Sequence, residues 1–544
     1  MSRRLLLAFA AVPAFVACGT TVPGADYTGV RTGGPAAAIG AGGVPAPVGA
    51  TTTAAGSGPI GAALPTQATA GVLPGLGPAP SATGGAGTLA KPSSLPAGPT
   101  TGPSAARRPT TSAPLPVGVT ATAINVGFTY DPGANQALAA VGGAALAGAD
   151  VKQMFQAVID DINAHGGIVG KQISPVVDTV SDNGQSQAQA DDEACSYFTQ
   201  DHRTYAVFIL PGDEEGRRCL ERNGATALVN ETLSTTTEGD FARHPSYVEP
   251  GTLAYDRALV TLSGSLARQG WYGGWNTRTG SSMPGGAPVL GVVYEDDGAE
   301  GGSMKSAVTS RLLPALAAAG HPVDPANVVS VTAINSSADY SAFTTQASTA
   351  ALKLASNGVT HVILADHAGG LMEFMVAAAD KQGYFPRYGF TTQAGPQANL
   401  DAGLVSAKDL AGSMGIGWFP NLDLPAAANP PNGPYSTAAT KHCLAVLAAK
   451  GITFANANAS SQGLGVCDDL YTLKQVLEAG GPELTTASWS RGIAALGNRL
   501  TSAVSLAQTI APDHRDTADG VRDYDFDASC RCMAYVGSTY APAS

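Results

Sequence analysis

The stretch VVYEDDGAEGGSM, residues 292–304, gathers Glu295, Asp296, Asp297 and Glu300 among three glycines directly after an apolar run. Two chemistries suit such a composition: oxygen ligation of a hard cation, or a glycine-rich cradle for phosphate. A calcium loop alternates oxygen ligands and ends on a late glutamate, and that spacing is missing. A phosphate cradle needs a Gly-Lys-Ser/Thr to supply a cation, and here the acids would repel the anion. The stretch is therefore expected to be a strand followed by a solvated acidic loop. Gly142, Gly143 and Gly148 do not space as a dinucleotide fingerprint, GSSMPGG is no nucleophile elbow, and no His-Glu-x-x-His occurs. No Cys-x-x-Cys pair is present, so neither a metal nor a cofactor is expected. His361 and His367 flank an apolar run as rim or structural residues, and Trp271, Trp275 and Trp418 are each expected in a core.

Residues able to hold a ligand must be carried by regular elements. From residue 121 apolar strands alternate with amphipathic helices: AINVGFTY, then a helix with Val151, Met154, Phe155, Val158, Ile159 and Ile162 at helical spacing, then ISPVVDTV, and onward to TYAVFIL and ATALVN. A second run holds APVLGVVYE, NVVSVTAI, THVILAD and RYGFTT, separated by helices. Such alternation predicts an α/β fold of two doubly wound parallel-sheet lobes. Open α/β sheets bind ligands beyond the carboxyl ends of their strands, so two lobes would enclose a cleft there. The candidate binding residues are accordingly Tyr130, Asp213 and Glu214, Ser234, Thr235 and Thr236, Glu300, Asp366 and His367, and Gln393.

The first 17 residues, with Arg3–Arg4, an apolar run and Ala17 before Cys18, have the pattern of an export signal. A cysteine directly after the small residue resembles the bacterial lipoprotein signal, although Phe15 stands where that pattern usually has Leu; the resemblance implies lipid modification of Cys18 and anchoring at the extracytoplasmic face of the cell membrane. Ordinary secretion with a chance cysteine is the alternative. Residues 18–120 are Ala, Gly, Pro, Thr and Ser with hardly an aromatic or charge, too little apolar surface to offset ordering entropy, and are expected to form a disordered tether. The formal charge is −12; the leader contributes +2 and the tether +3, leaving −17 on the remainder, which argues against nucleic acid as a partner. Besides Cys18 the chain has Cys195, Cys219, Cys443, Cys467, Cys530 and Cys532; an even number in an exported chain suggests disulfides, and of about fifteen pairings the nearest-neighbour set is preferred.

Order and texture resemble the type I periplasmic binding proteins, within them the branched-chain amino-acid and amide binders of ABC importers. The most specific piece is INAHGGIVGKQI, where Asn163, Gly166, Gly167, Ile168, Gly170 and Ile173 fall on the family pattern; VLGVVYEDDGAEGG, CDDLYTLKQVLEAGG and YDFDASC are similar to later pieces. The resemblance implies a monomeric, non-enzymatic bilobed unit over residues 121–544 that closes on a small-molecule solute and hands it to a membrane permease. Lobe 1 would comprise about 121–250 and 393–515 and lobe 2 about 251–392 and 516–544, with crossovers near Pro250, Thr392 and Asp516. It also implies a carboxylate grip at Ser234, Thr235 and Thr236 and a first hydroxyl loop at Gly212, Asp213 and Glu214, with Gln393 where amino-acid binders often have Glu and Ala299 where Tyr is common. A Cys195–Cys219 bridge joins elements bridged in some members. Acids in the first loop would favour a cationic or polyhydroxylated solute. A tethered ligand sensor of the same fold is the second reading, and an extracellular hydrolase the third.

Overall fold

The structure, a computed structural model, describes residues 115–130, 132, 150–180, 187–208, 214–230, 235–296, 303–333, 339–367, 369–430 and 432–543. The expected signal, Cys18 and all but the last six residues of the expected tether lie outside them. Residues just before 121 already belong to the fold: Asn125 N–H donates to the Gly118 carbonyl at 2.7 Å, and a Cβ on Gly118 would stand 2.2 Å from Tyr205 N. The boundary expected at 120 thus falls a few residues too late.

The first lobe runs β1 (Ala123–Tyr130), α1 (Val151–Ala164), β2 (Gln172–Thr179), α2 (Gln187–Ser196), β3 (Ala206–Phe208), α3 (Glu214–Arg222), β4 (Ala227–Val229), α4 (Glu238–Arg243) and β5 (Tyr247–Val248). Its five strands form one parallel sheet in the order β2-β1-β3-β4-β5. The 3.6-residue period that predicts α1 buries Met154, Phe155, Val158, Ile159 and Ile162 against the sheet, with Phe155 stacked on Phe128 at 4.5 Å between ring centroids. The turn after α1 requires its glycines: Gly167 has φ of 72°, and a Cβ there would meet the Lys171 carbonyl at 2.0 Å.

The second lobe contains α5 (Tyr255–Arg268), the short hairpin β6 (Trp275–Asn276) and β7 (Ser281–Ser282), β8 (Leu290–Asp296), α6 (Ser303–Ser306) continued through a π-helical segment into α7 (Leu313–Ala318), β9 (Val328–Thr332), α8 (Tyr340–Ser356), β10 (His361–Ala365), α9 (Gly370–Lys381), β11 (Arg387–Thr391), α10 (Pro396–Asp401) and β12 (Met414–Gly417). The chain then returns with α11 (Pro420–Asp423), α12 (Ala438–Ala449), α13 (Ala457–Gly480) and α14 (Thr486–Leu496), of which α12 and α13 pack on α1, α13 also reaches β4 and α14 packs on α13, and ends on β13 (Val521–Asp527) and β14 (Cys532–Tyr540). The second sheet has the order β14-β13-β12-β11-β10-β8-β9, parallel except for the closing antiparallel strands β13 and β14.

One expected boundary is corrected. β12 was assigned to lobe 1 by placing a crossover near Thr392, yet Gly389, Phe390 and Thr391 pair with Met414, Gly415 and Ile416 in the second sheet. The chain therefore leaves lobe 2 only after Gly417. Two other crossings run side by side: Glu249 N–H donates to the Arg515 carbonyl at 2.9 Å, Thr517 N–H to the Glu249 carbonyl at 3.1 Å and Ala518 N–H to the Thr252 carbonyl at 2.7 Å. The third is tied in by Leu506 N–H, which donates to the Trp418 carbonyl at 3.1 Å.

All six described cysteines are paired, Cys195–Cys219 joining α2 to α3, Cys443–Cys467 joining α12 to α13, and Cys530–Cys532 closing the β13–β14 turn, as nearest-neighbour pairing predicts. No described helix is long and apolar enough to cross a membrane.

Candidate functional site

The carboxyl ends of both sheets carry the predicted loops. In the first lobe, the Tyr130 hydroxyl at the end of β1 donates to Asp150 Oδ2, and Asp150 Oδ1 accepts from Gln153 N–H at 3.2 Å to cap α1. After β4, Thr235 and Thr236 are buried. Thr236 Oγ1 lies 3.0 Å from the Tyr247 hydroxyl and donates to Glu249 Oε1 at 3.3 Å, while Asn230 Nδ2 donates to the same Tyr247 hydroxyl at 2.9 Å. Asp213, Ser234, Glu300 and Ala299 lie outside the described residues.

Glu214 is not the open acid the sequence suggests. It starts α3 and is bound by Arg218 at 2.7 Å, His244 Nε2 at 3.0 Å and Arg243 Nε at 3.1 Å, all in its own lobe. Burial alone would raise its carboxyl, but the hydrogen bonds from His244 and Arg243 bring it down to about 2. A carboxylate so committed has little capacity left for a cationic solute.

In the second lobe Glu295 ends β8 and Asp366 follows β10, both buried and hydrogen-bonded to each other. Asp366 also accepts from the first amides of α9, Leu371 N–H at 3.2 Å and Met372 N–H at 2.7 Å, and His367 N–H donates to Glu295 Oε1 at 3.3 Å. Burial dominates over these donors and pushes Asp366 up to about 7. Gln393 is fully buried in the turn after β11, its N–H donating to Thr391 Oγ1 at 3.3 Å. His361 is structural: it packs edge-on to Trp271 at 4.7 Å, and burial lowers it to about 4, which keeps it neutral. Trp271, Trp275 and Trp418 are all buried, consistent with a core position for each.

Asp240, Glu238, Arg311, Glu249 and Asp423 were missed in the sequence. Asp240 accepts from Thr237 N–H and Thr237 Oγ1, both at 2.8 Å, and from Ser303 Oγ at 3.0 Å across the lobes. Another cross-lobe pair is Arg311 with Glu238 at 3.4 Å. Glu249 is fully buried at a crossover, raised well above the usual carboxyl range first by burial and then by Asp516. Asp423 Oδ2 accepts from the Tyr535 hydroxyl at 2.5 Å, Thr392 Oγ1 at 2.9 Å and Phe419 N–H at 3.0 Å where the chain leaves the second lobe, and burial raises it to about 7. Only Asp240 leaves a readable trace, because Thr237 and Asp240 have capping-box spacing at the start of α4.

No family model and no curated protein matches the chain. Solved structures do. One is a solute-binding protein of an ABC transporter from R. palustris in complex with 4-hydroxybenzoate, 14% identical, covering 77% of this chain and 97% of that one at a TM-score of 0.51. This chain has the type I periplasmic binding protein fold. The same fold is found in a fatty acid ABC transporter substrate-binding protein from Thermomonospora curvata, 14% identical, with 79% of this chain and 95% of that chain covered at a TM-score of 0.51. A substrate-binding protein from Desulfitobacterium hafniense in complex with Leu aligns at 14% identity over 76% of this chain and 100% of that one, with a TM-score of 0.48. Tyr130, Thr235, Thr236, Glu295, Asp366 and Gln393 sit at or just after the carboxyl ends of strands of the two sheets.

Proposed function

We propose that this chain is an extracytoplasmic, monomeric solute-binding lipoprotein, anchored through Cys18, which captures a small polar solute between its lobes and delivers it to the permease of an ABC importer. It carries out no covalent chemistry on that solute. The observation that supports this most is the cross-lobe hydrogen bond from Ser303 to Asp240, placed where the strand-end loops of the two lobes meet. Hinge closure stabilised by contacts to both lobes is the physical basis of capture, since a solute that touches both lobes favours the closed state.

The solute class follows from the charged groups. With Glu214 committed to Arg218, Arg243 and His244, a buried acid pair remains at the strand ends of the second lobe, Glu295 and Asp366, hydrogen-bonded to each other. That pair offers both a donor and an acceptor, which suits hydroxyl groups better than it suits a fixed cation. We therefore favour a polyhydroxylated or otherwise uncharged polar solute over a polyamine. Mass spectrometry of solute co-purified with the chain, followed by calorimetric titration against polyols, amino acids, aromatic acids and polyamines, tests the assignment. Micromolar binding of a polyol-type solute is expected; tight binding of a polyamine or leucine alone overturns the solute class, and absence of binding across the panel together with no co-purified solute overturns the capture role.

A further inference from the structure

The Cys443–Cys467 bridge is sealed in the core, both cysteines being 0% exposed, while in Cys195–Cys219 the first cysteine is 1% exposed and the second is half-buried. Each closes a sequence separation of 24. The third, Cys530–Cys532, has a separation of only 2 and sits at the tip of the β13–β14 hairpin, where Cys530 and Arg531 are exposed and Cys532 is half-buried. The residue between the two cysteines, Arg531, is held at φ of 56°, in the left-handed region that is unfavourable for any residue with a side chain. The rest of the tip is ordered by Ser529 N–H, which donates to Asp527 Oδ1 at 2.7 Å.

These facts distinguish the bridge chemically. Loop-closure stabilisation grows with the number of residues enclosed, so the smallest ring gains least from being closed. The oxidised turn holds Arg531 in an unfavourable backbone conformation that reduction can relax. Exposure gives an incoming thiolate access to Cys530 Sγ; Cys443–Cys467 allows none, and Cys195–Cys219 offers only the half-buried Cys219. Exposed bridges in unfavourable settings are the ones with oxidising potentials.

We propose that Cys530–Cys532 is a thiol–disulfide exchange site for small thiols. A small thiolate attacks Cys530 Sγ and forms a mixed disulfide; the Cys530–Cys532 bond breaks, and its electron pair leaves on Cys532 Sγ, which takes a proton from solvent. A second small thiolate attacks the small-thiol sulfur of the mixed disulfide and releases Cys530 as a thiolate. Two small thiols are oxidised to one disulfide, and Cys530 and Cys532 are reduced to two thiols; an excess of small disulfide runs the sequence backwards. The site is independent of solute capture.

The test equilibrates the folded full chain in glutathione buffers of graded ratio, approached from oxidised and reduced protein, with acid quenching, alkylation and peptide mass spectrometry. Half-reduction of Cys530–Cys532 is expected in a buffer at least about tenfold more oxidising than either of the other bridges requires, with Cys195–Cys219 and Cys443–Cys467 still closed. Arg531→Gly, which removes the backbone cost of the closed turn, is expected to need a buffer about severalfold more reducing than the wild type. Reduction of all three bridges at one ratio, or of Cys530–Cys532 last, overturns the proposal. An Arg531→Gly chain that titrates with the wild type, or more easily, overturns the role given to Arg531 and with it the reason for exchange.

Discussion

Ser303 Oγ, on the second lobe, donates a hydrogen bond of 3.0 Å to Asp240 Oδ2, on the first. Asp240 is buried and held by Thr237 and Arg243 in its own lobe, so its carboxylate stays in place whether or not Ser303 arrives. On the proposed hinge closure, the bond forms when the lobes meet and is lost when they part. Ser303→Ala is expected to weaken solute affinity about tenfold, near 1.4 kcal/mol, within the range of one hydrogen bond to a charged acceptor. Calorimetry with the co-purified solute measures the affinity, and small-angle scattering compares the free and bound radii. An unchanged affinity would remove this contact from the closure step.

Arg257 Nη1 donates to Asp516 Oδ2 at 2.6 Å beside the paired crossovers, and Asp516 also accepts from Ala254 N–H at 2.7 Å. Both side chains are buried, so deleting one strands the other's charge away from water. Arg257→Ala is expected to cost about 3–5 kcal/mol of stability, and the double substitution Arg257→Ala/Asp516→Ala less than the single. Denaturant unfolding of the four corners of that cycle measures the coupling; additive losses would contradict it.

Stability is expected to fall as pH rises from about 4 to about 7 through the groups Asp366, Asp423 and Asp468, each raised to about 7 chiefly by burial. The sign follows from proton counts: in this window the unfolded carboxyls are ionised while the folded ones still hold a proton, so the folded state binds more protons and loses stability as pH increases. Asp423→Asn tests one of them. Its Oδ2 keeps the three donors as an amide oxygen, and Oδ1, which has no hydrogen-bond partner, becomes the amide nitrogen. The melting temperature of this variant is expected to depend less on pH between 4 and 7 than that of the wild type, and parallel profiles would show that Asp423 does not titrate there.

The Cys195–Cys219 bridge, with a separation of 24, ties two helices of the first lobe. Replacing both cysteines by alanine is expected to lower stability by about 3 kcal/mol in the chain-entropy account, seen as a lower denaturant midpoint. A midpoint equal to that of the wild type would leave the bridge without a stabilising role.

The alternation of strands and helices was legible because short continuous apolar runs mark the buried parallel strands and a 3.6-residue apolar period marks helices such as α1; AINVGFTY is β1 to the residue. β12 was not legible. Met414-Gly-Ile-Gly417 is four residues with two glycines, a poor strand by composition, and its reason is tertiary: a Cβ on Gly415 would lie 2.0 Å from the Phe390 carbonyl of the neighbouring strand. Among the candidate residues, the places of Thr236 and Asp366 just after strands were legible because strand ends are. Glu214 was misjudged since the sequence shows that an acid is present but not that Arg243 and His244 fold back onto it, and Glu249 and Asp423 escaped because burial, the property that sets them apart, is a result of the fold.

The paired crossovers have a mechanical consequence. Main-chain hydrogen bonds fasten residues 249–252 to residues 515–518, so these two segments form a ribbon rather than two independent strings. A ribbon flexes readily across its width but resists rotation about its length, and the Trp418–Leu506 bond adds a further point of attachment on the third crossing. On the proposed capture role, such a ribbon favours a single opening angle over a diffuse set of relative orientations of the lobes.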